Sequence, residues 1–409
     1  IWGAHVYRSD LGGMVNNPAQ STGFETYVPT TSSAVYLPRV GHHIYNGNAW
    51  VNEGVLHESE ARTNLVTYSQ DFSNASWAAV RTASLALDSV GPDGESNSAV
   101  KLLDNSAGGT GTVYVRDTVT VSTSTTYTAS VYAKADQLSQ IVLFANAFTT
   151  PANNGFVFDL SNGTYSVYSG TPAITAEMQS VDNGWYRCSI TFTTDTTDTS
   201  GEIQIYLYES GSVSVPLDGT SSVLLYGAQL EAGATPSSYI PTSGSTVTRA
   251  AETLTVPAAN LPYDSTNMSI QIDGKITYAD TNNTFEMMWW EWKLSSSDNM
   301  KIHLSTSGGS TGLPTFTQKR SVTDNPIGVP NNVYSPGIDV PFNLASRHGS
   351  TFINGATEGT SYTVNTTPTS LPDLSATDLT LGTIFMGTIG KFRMWSEDLT
   401  DTGIEEAST

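Results

Sequence analysis

Basic residues are scarce. Only 17 of 409 residues are Lys or Arg, against 38 Asp or Glu, and the formal net charge is −21. A surface of that sign repels phosphate backbones and anionic lipid, which argues against a nucleic-acid or membrane partner. It stays compatible with neutral glycans, cationic partners or a salty medium. The acids are dispersed, so there is no acidic tail. Cysteine is nearly absent: Cys188 stands alone, leaving no internal disulfide and no cysteine-based zinc site. An extracellular β-protein without bridges fits cytoplasmic assembly followed by release. No apolar run reaches membrane-spanning length. Charged residues make up only 13%, about half the roughly 25% of an average globular chain.

Ser, Thr, Asn and Gly fill the gap. Thr suits a pleated surface, and Gly and Asn supply the positive φ of turns. Aromatics at 10% exclude a disordered chain. Short alternating runs dominate: TYTASVYAK (126–134), IVLFAN (141–146), WYRCSITF (185–192), EIQIYLYE (202–209) and VLLYGAQL (223–230). Turns such as SNGTY (161–165) and DNGW (182–185) punctuate them. From about Ala250 a second series begins, with NMSIQIDGKITY (267–278), TFEMMWWEWKL (284–294) and TIGKFRMWSEDLT (388–400). Only 400–408 reads as helix. The fold class is all-β.

Two stretches echo each other. WGAHVY (2–7) precedes TYVPTTSSAVYLPR (26–39), and YGAQLE (226–231) precedes SYIPTSGSTVTRA (238–250). The aromatic-Gly-Ala pattern closes a module in the second copy. Residues 1–34 are therefore expected to end an earlier β module whose remainder lies upstream of Ile1. Residues 35–60, with Asn46-Gly47 as a hairpin signal, form an expected connector. A sandwich over 61–249 and another over 250–409 complete the division.

These residues carry a resemblance. EARTNLVTYSQDFSNASW (60–77) through YGAQLEAGATPSSYIPTSGSTVTRAAE (226–252) resembles the jelly-roll modules, related to carbohydrate-binding modules, that recur in bacteriophage tail and fibre proteins. FNLASRHGSTFINGATEG (342–359) with LTLGTIFMGTIGKFRMWSEDLTDTGIEE (379–406) resembles a concanavalin A-like (laminin G-type) sandwich. The resemblance implies tandem β-sandwiches in a virion fibre or tail adhesin. Such a protein is made in the host cytoplasm, joins other virion tail or fibre proteins as a homo-oligomer, usually a trimer, and recognises host-surface glycan. A tail-borne polysaccharide-degrading enzyme and a purely structural virion protein are the alternatives. Fold does not fix function.

Related glucanases carry two carboxylates at even spacing on one strand, whereas Glu286 and Glu291 stand at odd spacing and point to opposite faces of a regular strand. A bulge would return them to one side. The six histidines include adjacent His42 and His43 but no HExxH spacing. No G-x-S-x-G elbow or phosphate-cradling loop is present. No cofactor is expected: DTTDTSGE (195–202) has the acids to hold calcium, as lectin-like sandwiches often do, but a solvated polar turn is the preferred reading. Cys188, on one face with Tyr186, Ile190 and Phe192, reads as buried.

Alternation then nominates binding residues. In MMWWEWK (287–293), Met288, Trp290 and Trp292 are expected in the core. The charged face then holds Met287, Trp289, Glu291 and Lys293. An exposed Trp289 beside Glu291 would stack on a sugar, contact a subunit or lie under a loop. By the same rule Trp185 and Arg187, Tyr132, and Tyr206 and Tyr208 point away from the jelly-roll core. If their strands share a sheet, they form a concave aromatic surface, where sugar sits in the carbohydrate-binding relatives. Tyrosine pairing across strands, with Trp185 capping the core, is the competing reading.

Overall fold

The alternating runs form strands throughout. The computed structural model describes residues 39–45, 50–83, 85–169, 174–278, 286–306, 311–321, 323–328 and 334–409. Every paired strand for which a register is given is antiparallel, and the only α-helix among the described residues is Thr400–Ala407. The expected remnant at 1–34 and the Asn46-Gly47 turn lie outside the described residues.

Residues Arg62–Arg249 make one compact unit. One of its sheets has six strands in the order Thr164–Ser169, Asn154–Asp159, Gln140–Asn146, Ser200–Tyr208, Tyr114–Thr120 and Trp77–Val80. The other runs Ile174–Asp182, Trp185–Thr193, Thr126–Ala135, Ser222–Ala232, Ala99–Leu103 and Leu87–Ser89. Between them the inward positions expected from alternation, among them Val131, Ile190, Ile203, Ile205 and Leu207, form one core with Ile141 and Leu143. Cys188 belongs to it, and burial pushes its thiol far above the usual range. A short pair, Arg62–Asn64 with Val247–Arg249, joins the beginning of this unit to its end.

The second sandwich pairs a seven-stranded sheet with a six-stranded one. The larger runs Arg39–Tyr45, Trp50–Glu58, Met386–Trp395, Asn267–Tyr278, Gly337–Gly349, Ile353–Thr357 and Thr360–Ser361. The smaller runs Leu254–Val256, Leu379–Thr383, Met287–Ser295, Asp298–Leu304, Pro314–Arg320 and Thr323–Gly328. The helix rests Ile404 on Ala345 and Ala356.

The expected connector is more than a link. Its strand Trp50–Glu58 pairs with Met386–Trp395 in the register Val55 to Ile389 and His57 to Gly387. Residues Val51–Ala61 accordingly group with Ala250–Thr409. Buried charge fixes the junction. Arg39 bonds Glu58 through Nη2 and donates from Nε to Glu252 at 3.1 Å, while the Glu58 N–H donates to Glu252 at 2.7 Å. The first sandwich is thus inserted in the sequence of the second.

Candidate functional site

Trp289 is not a surface residue. It is fully buried, as are Trp290 and Trp292, and Met287 is buried with them while Met288 lies half-buried on the other face. This corrects the expected alternation, and the cause is local. Met288 pairs with His303 and Trp290 with Ile302, so Trp289 is an extra residue in a β-bulge. A bulge turns two successive side chains toward one side. Trp289 packs against Phe342 and Tyr334, with ring centroids 5.6 and 5.8 Å away, and Trp290 meets His348 at 5.9 Å. The run of four apolar residues, Met287–Trp290, was the available signal: strict alternation would leave half of it wet.

The bulge also restores Glu286 and Glu291 to the same face, yet they do not form a catalytic pair. Four pleated positions separate them, about 13 Å along the strand at ~3.3 Å per residue, with Met288 between. A retaining pair needs about 5–5.5 Å and an inverting pair about 6.5–9.5 Å. Each carboxylate has its own cation. Glu286 bonds Lys301 at 2.5 Å and lies 3.2 Å from His303, and Glu291 is 3.3 Å from Lys293. Burial opposes ionisation of Glu286, but the Lys301 bond and the charge near it outweigh that and lower its pKa.

The jelly-roll candidates separate onto two sheets. Tyr132, Trp185 and Arg187 stand on the sheet containing Thr126–Ala135 and Trp185–Thr193, whereas Tyr206 and Tyr208 stand on the opposite sheet. A single surface of all five, expected if the strands were shared, does not exist.

In the first group Trp185 and Arg187 are sealed and Tyr132 is half-buried. Trp185 is 2% exposed and Arg187 7%. The segment after Ser222–Ala232 crosses this face and packs Tyr239 against Tyr226 and Tyr132. Arg187 donates to the Ser237 carbonyl at 2.6 Å and to Ser130 Oγ at 3.0 Å, its guanidinium 5.3 Å from the Tyr132 ring centroid. Glu231, fully buried, accepts from Ser237 N and Oγ at 2.8 and 2.6 Å, and Gln229 accepts the Ile240 N–H at 2.7 Å. The covering segment is ATPSSYIPTS (234–243), part of the repeat seen in the sequence. Its polar partners explain how Arg187 and Glu231 are buried without an ion pair.

The second group stays open. Ser200–Tyr208 turns Ile203, Ile205 and Leu207 inward, and so Glu202, Gln204, Tyr206 and Tyr208 outward. Register places Tyr114 beside Tyr206 on one side, with Val142 on the other, and Phe144 beside Gln204. Five half-buried rings then touch in sequence. Tyr114 stacks on Tyr206 at 4.5 Å, Tyr206 meets Phe144 edge-on at 6.2 Å, Phe144 meets Tyr168 at 6.0 Å, and Tyr168 meets Tyr208 at 5.8 Å. Alternation alone nominates none of Tyr114, Phe144 and Tyr168. Tyr114 and Tyr168 lie outside the alternating runs and Phe144 inside the all-apolar start of IVLFAN, and only the strand order brings them beside Tyr206.

A fixed polar border flanks the rings. Glu202 accepts from Arg116 at 2.7 Å, Gln204 at 2.6 Å and Asn146 at 3.1 Å, and Tyr206 donates its hydroxyl to Gln204 Oε1. Burial works against ionised Glu202, but these hydrogen bonds outweigh it and hold the carboxyl below its usual range. Beyond Tyr208, Gln140 donates to Asp159 at 3.1 Å. Burial, with the neighbouring Tyr114 and Tyr168 hydroxyls, pushes the Tyr206 phenol up to about 12, so it remains a neutral donor. The face offers apolar ring surface, neutral hydroxyls and oriented amides.

In the DTTDTSGE turn, Asp195 accepts from Thr197 N and Oγ1, each at 3.0 Å. Asp198 accepts from Thr149 N at 2.7 Å and Asp195 N at 2.9 Å. These carboxylates serve as turn acceptors. Among the described residues no group of three or more His, Cys, Asp or Glu is placed to hold a metal ion.

No family model matches the chain, and no curated protein does. Solved structures similar to parts of it include a leech intramolecular trans-sialidase complexed with 2,7-anhydro-Neu5Ac, at 17% identity and a TM-score of 0.28, spanning 35% of this chain and 23% of that one. A heptameric SAP-like pentraxin from Limulus polyphemus matches at 10% identity and 0.27 over 36% of this chain and 72% of that one. The mouse laminin alpha1 domains LG4-5 match at 9% identity and 0.26 over 68% and 86%. The fold assignment rests on the sheets themselves.

Proposed function

We propose that the chain recognises neutral glycans without cleaving them, as part of a bacteriophage tail or fibre adhesin. The observation that carries this reading is the five-ring run Tyr114–Tyr206–Phe144–Tyr168–Tyr208, partly open to water and bordered by hydrogen-bonding groups already held in place. Rings with one apolar face and one wet end suit ligands that are apolar on one side and hydroxylated on the other. A pyranose is such a ligand. The acidic surface favours a neutral sugar over an anionic one. Glu202, held by Arg116, Gln204 and Asn146, serves as a hydrogen-bond acceptor rather than a proton shuttle. Weak single sites multiplied on an oligomer of the virion give useful avidity. Host-surface glycan and other virion proteins are the partners in this reading.

A glycan array probed with the full chain tests it. The expected result is binding to neutral oligosaccharides that falls at least tenfold in Tyr206→Ala. Release of new reducing ends or unsaturated uronates from host polysaccharide would instead support the enzyme alternative. A silent array would contradict recognition.

A further inference from the structure

Among the described residues the four large sheets end in eight terminal strands, and seven of them carry a feature that discourages pairing with another chain. Trp77–Val80, Leu87–Ser89, Leu254–Val256 and Thr360–Ser361 span four residues or fewer. Arg39–Tyr45 carries Arg39, Ile174–Asp182 carries Glu177 and Asp182, and Thr323–Gly328 carries Asp324 and Pro326. Short length, charge and proline are the usual ways of blunting an edge. The eighth strand, Thr164–Ser169, has none of them. Its sequence is TYSVYS, six residues without charge or proline.

This strand pairs on one side with Asn154–Asp159 and on the other with no described strand. Its first four residues are all exposed, with Tyr165 at 42% and Val167 at 58%. Those two side chains share one face, since they stand opposite Phe158 and Phe156. A neutral edge in a chain of net charge −21 is also a place where two copies approach with little local repulsion.

We propose that Thr164–Ser169 is a self-association edge, where a second copy of this chain adds the same strand antiparallel. The sequence fits a two-fold register centred on Ser166. Tyr165 of each copy then faces Val167 of the other, and Thr164 faces Tyr168, aromatic to β-branched in both cases. The two six-stranded sheets become one of twelve, with both aromatic runs on its outer surface. The contact is isologous and smaller than the ~1,200 Å² of a standard interface, which places it with weak, transient associations. Its geometry does not depend on the glycan reading.

Sedimentation of the full chain from about 1 to 500 µM provides the test. The expected mass rises from 43.6 kDa toward twice that value. Association strengthens with added salt, because screening relieves repulsion between acidic copies. Val167→Lys stays at the single-chain mass with an unchanged melting temperature. Should that variant melt early, Ser166→Lys, also at an exposed position, gives the same reading. A wild-type chain that remains single at the highest concentration overturns the proposal. So does a trimer, or dimerisation that persists in a folded edge variant. Glycan binding by the monomeric variant would leave the recognition reading standing while the edge is judged separately.

Discussion

Trp289 and Asp117 show how burial decides a residue's role. Trp289 belongs to the packed centre of the second sandwich, so Trp289→Ala should cost about 3–5 kcal/mol of its stability. Urea unfolding checks this, and glycan binding by the folded fraction should be unchanged. Asp117 sits at an inward position of Tyr114–Thr120 and is 5% exposed. Burial raises its carboxyl to about 6, with the Thr118 N–H pulling the other way. A raised folded pKa means the folded state binds the proton more tightly, so ionisation above pH 6 destabilises and stability returns as pH falls toward 4. Asp117→Asn should therefore gain about 2 kcal/mol at pH 8, the gain vanishing near pH 4. A gain independent of pH would show that desolvated charge is not the cause.

At the scale of elements, period-two alternation located the five central runs of the first sandwich and the core faces of Trp185–Thr193 and Ser200–Tyr208, because those strands are regular and one-sided, while the shorter and outer strands carry too few alternating residues to stand out. It failed over Met287–Trp289, because one inserted residue puts the strand before the bulge out of phase with the charged Glu291 and Lys293 from which the faces are read, while Trp290 and Trp292 lie in the core as expected. It also failed at Trp185, whose outward face is real but covered by a segment far along the chain. Neither a bulge nor a covering strap leaves a periodic mark. The strap does leave a local one in Gly227, which takes a φ of +60°; a Cβ there would lie 3.1 Å from the Tyr239 ring and 3.3 Å from Tyr132. Gly227→Ala should destabilise the first sandwich by at least about 1 kcal/mol and expose Trp185, read as a red shift in its fluorescence.

For the whole molecule, the sequence order conceals an insertion. The two β series were legible as two sandwiches, but pairing of Trp50–Glu58 with Met386–Trp395 depends on contacts more than 300 residues apart, which local pattern does not encode. A fragment of residues 62–249 should fold alone with a cooperative transition, since its ends already pair through Arg62–Asn64 and Val247–Arg249. Residues 250–409 alone should be insoluble or molten, lacking the strand that covers Met386–Trp395 and the Arg39 that neutralises Glu252. Supplying residues 39–61 by a short linker in place of the first sandwich should restore them. Circular dichroism and thermal melts of the three fragments decide it.

The central claim is that the open rings of one sheet, and not the buried tryptophans, meet the ligand. Titrating an array-selected neutral oligosaccharide into protein labelled at its aromatic side chains reads that directly by NMR. The account predicts saturable shifts at Tyr114, Phe144, Tyr168, Tyr206 and Tyr208, with Trp185 and Trp289 unmoved. Shifts confined to the tryptophans, or to none of these rings, would contradict it.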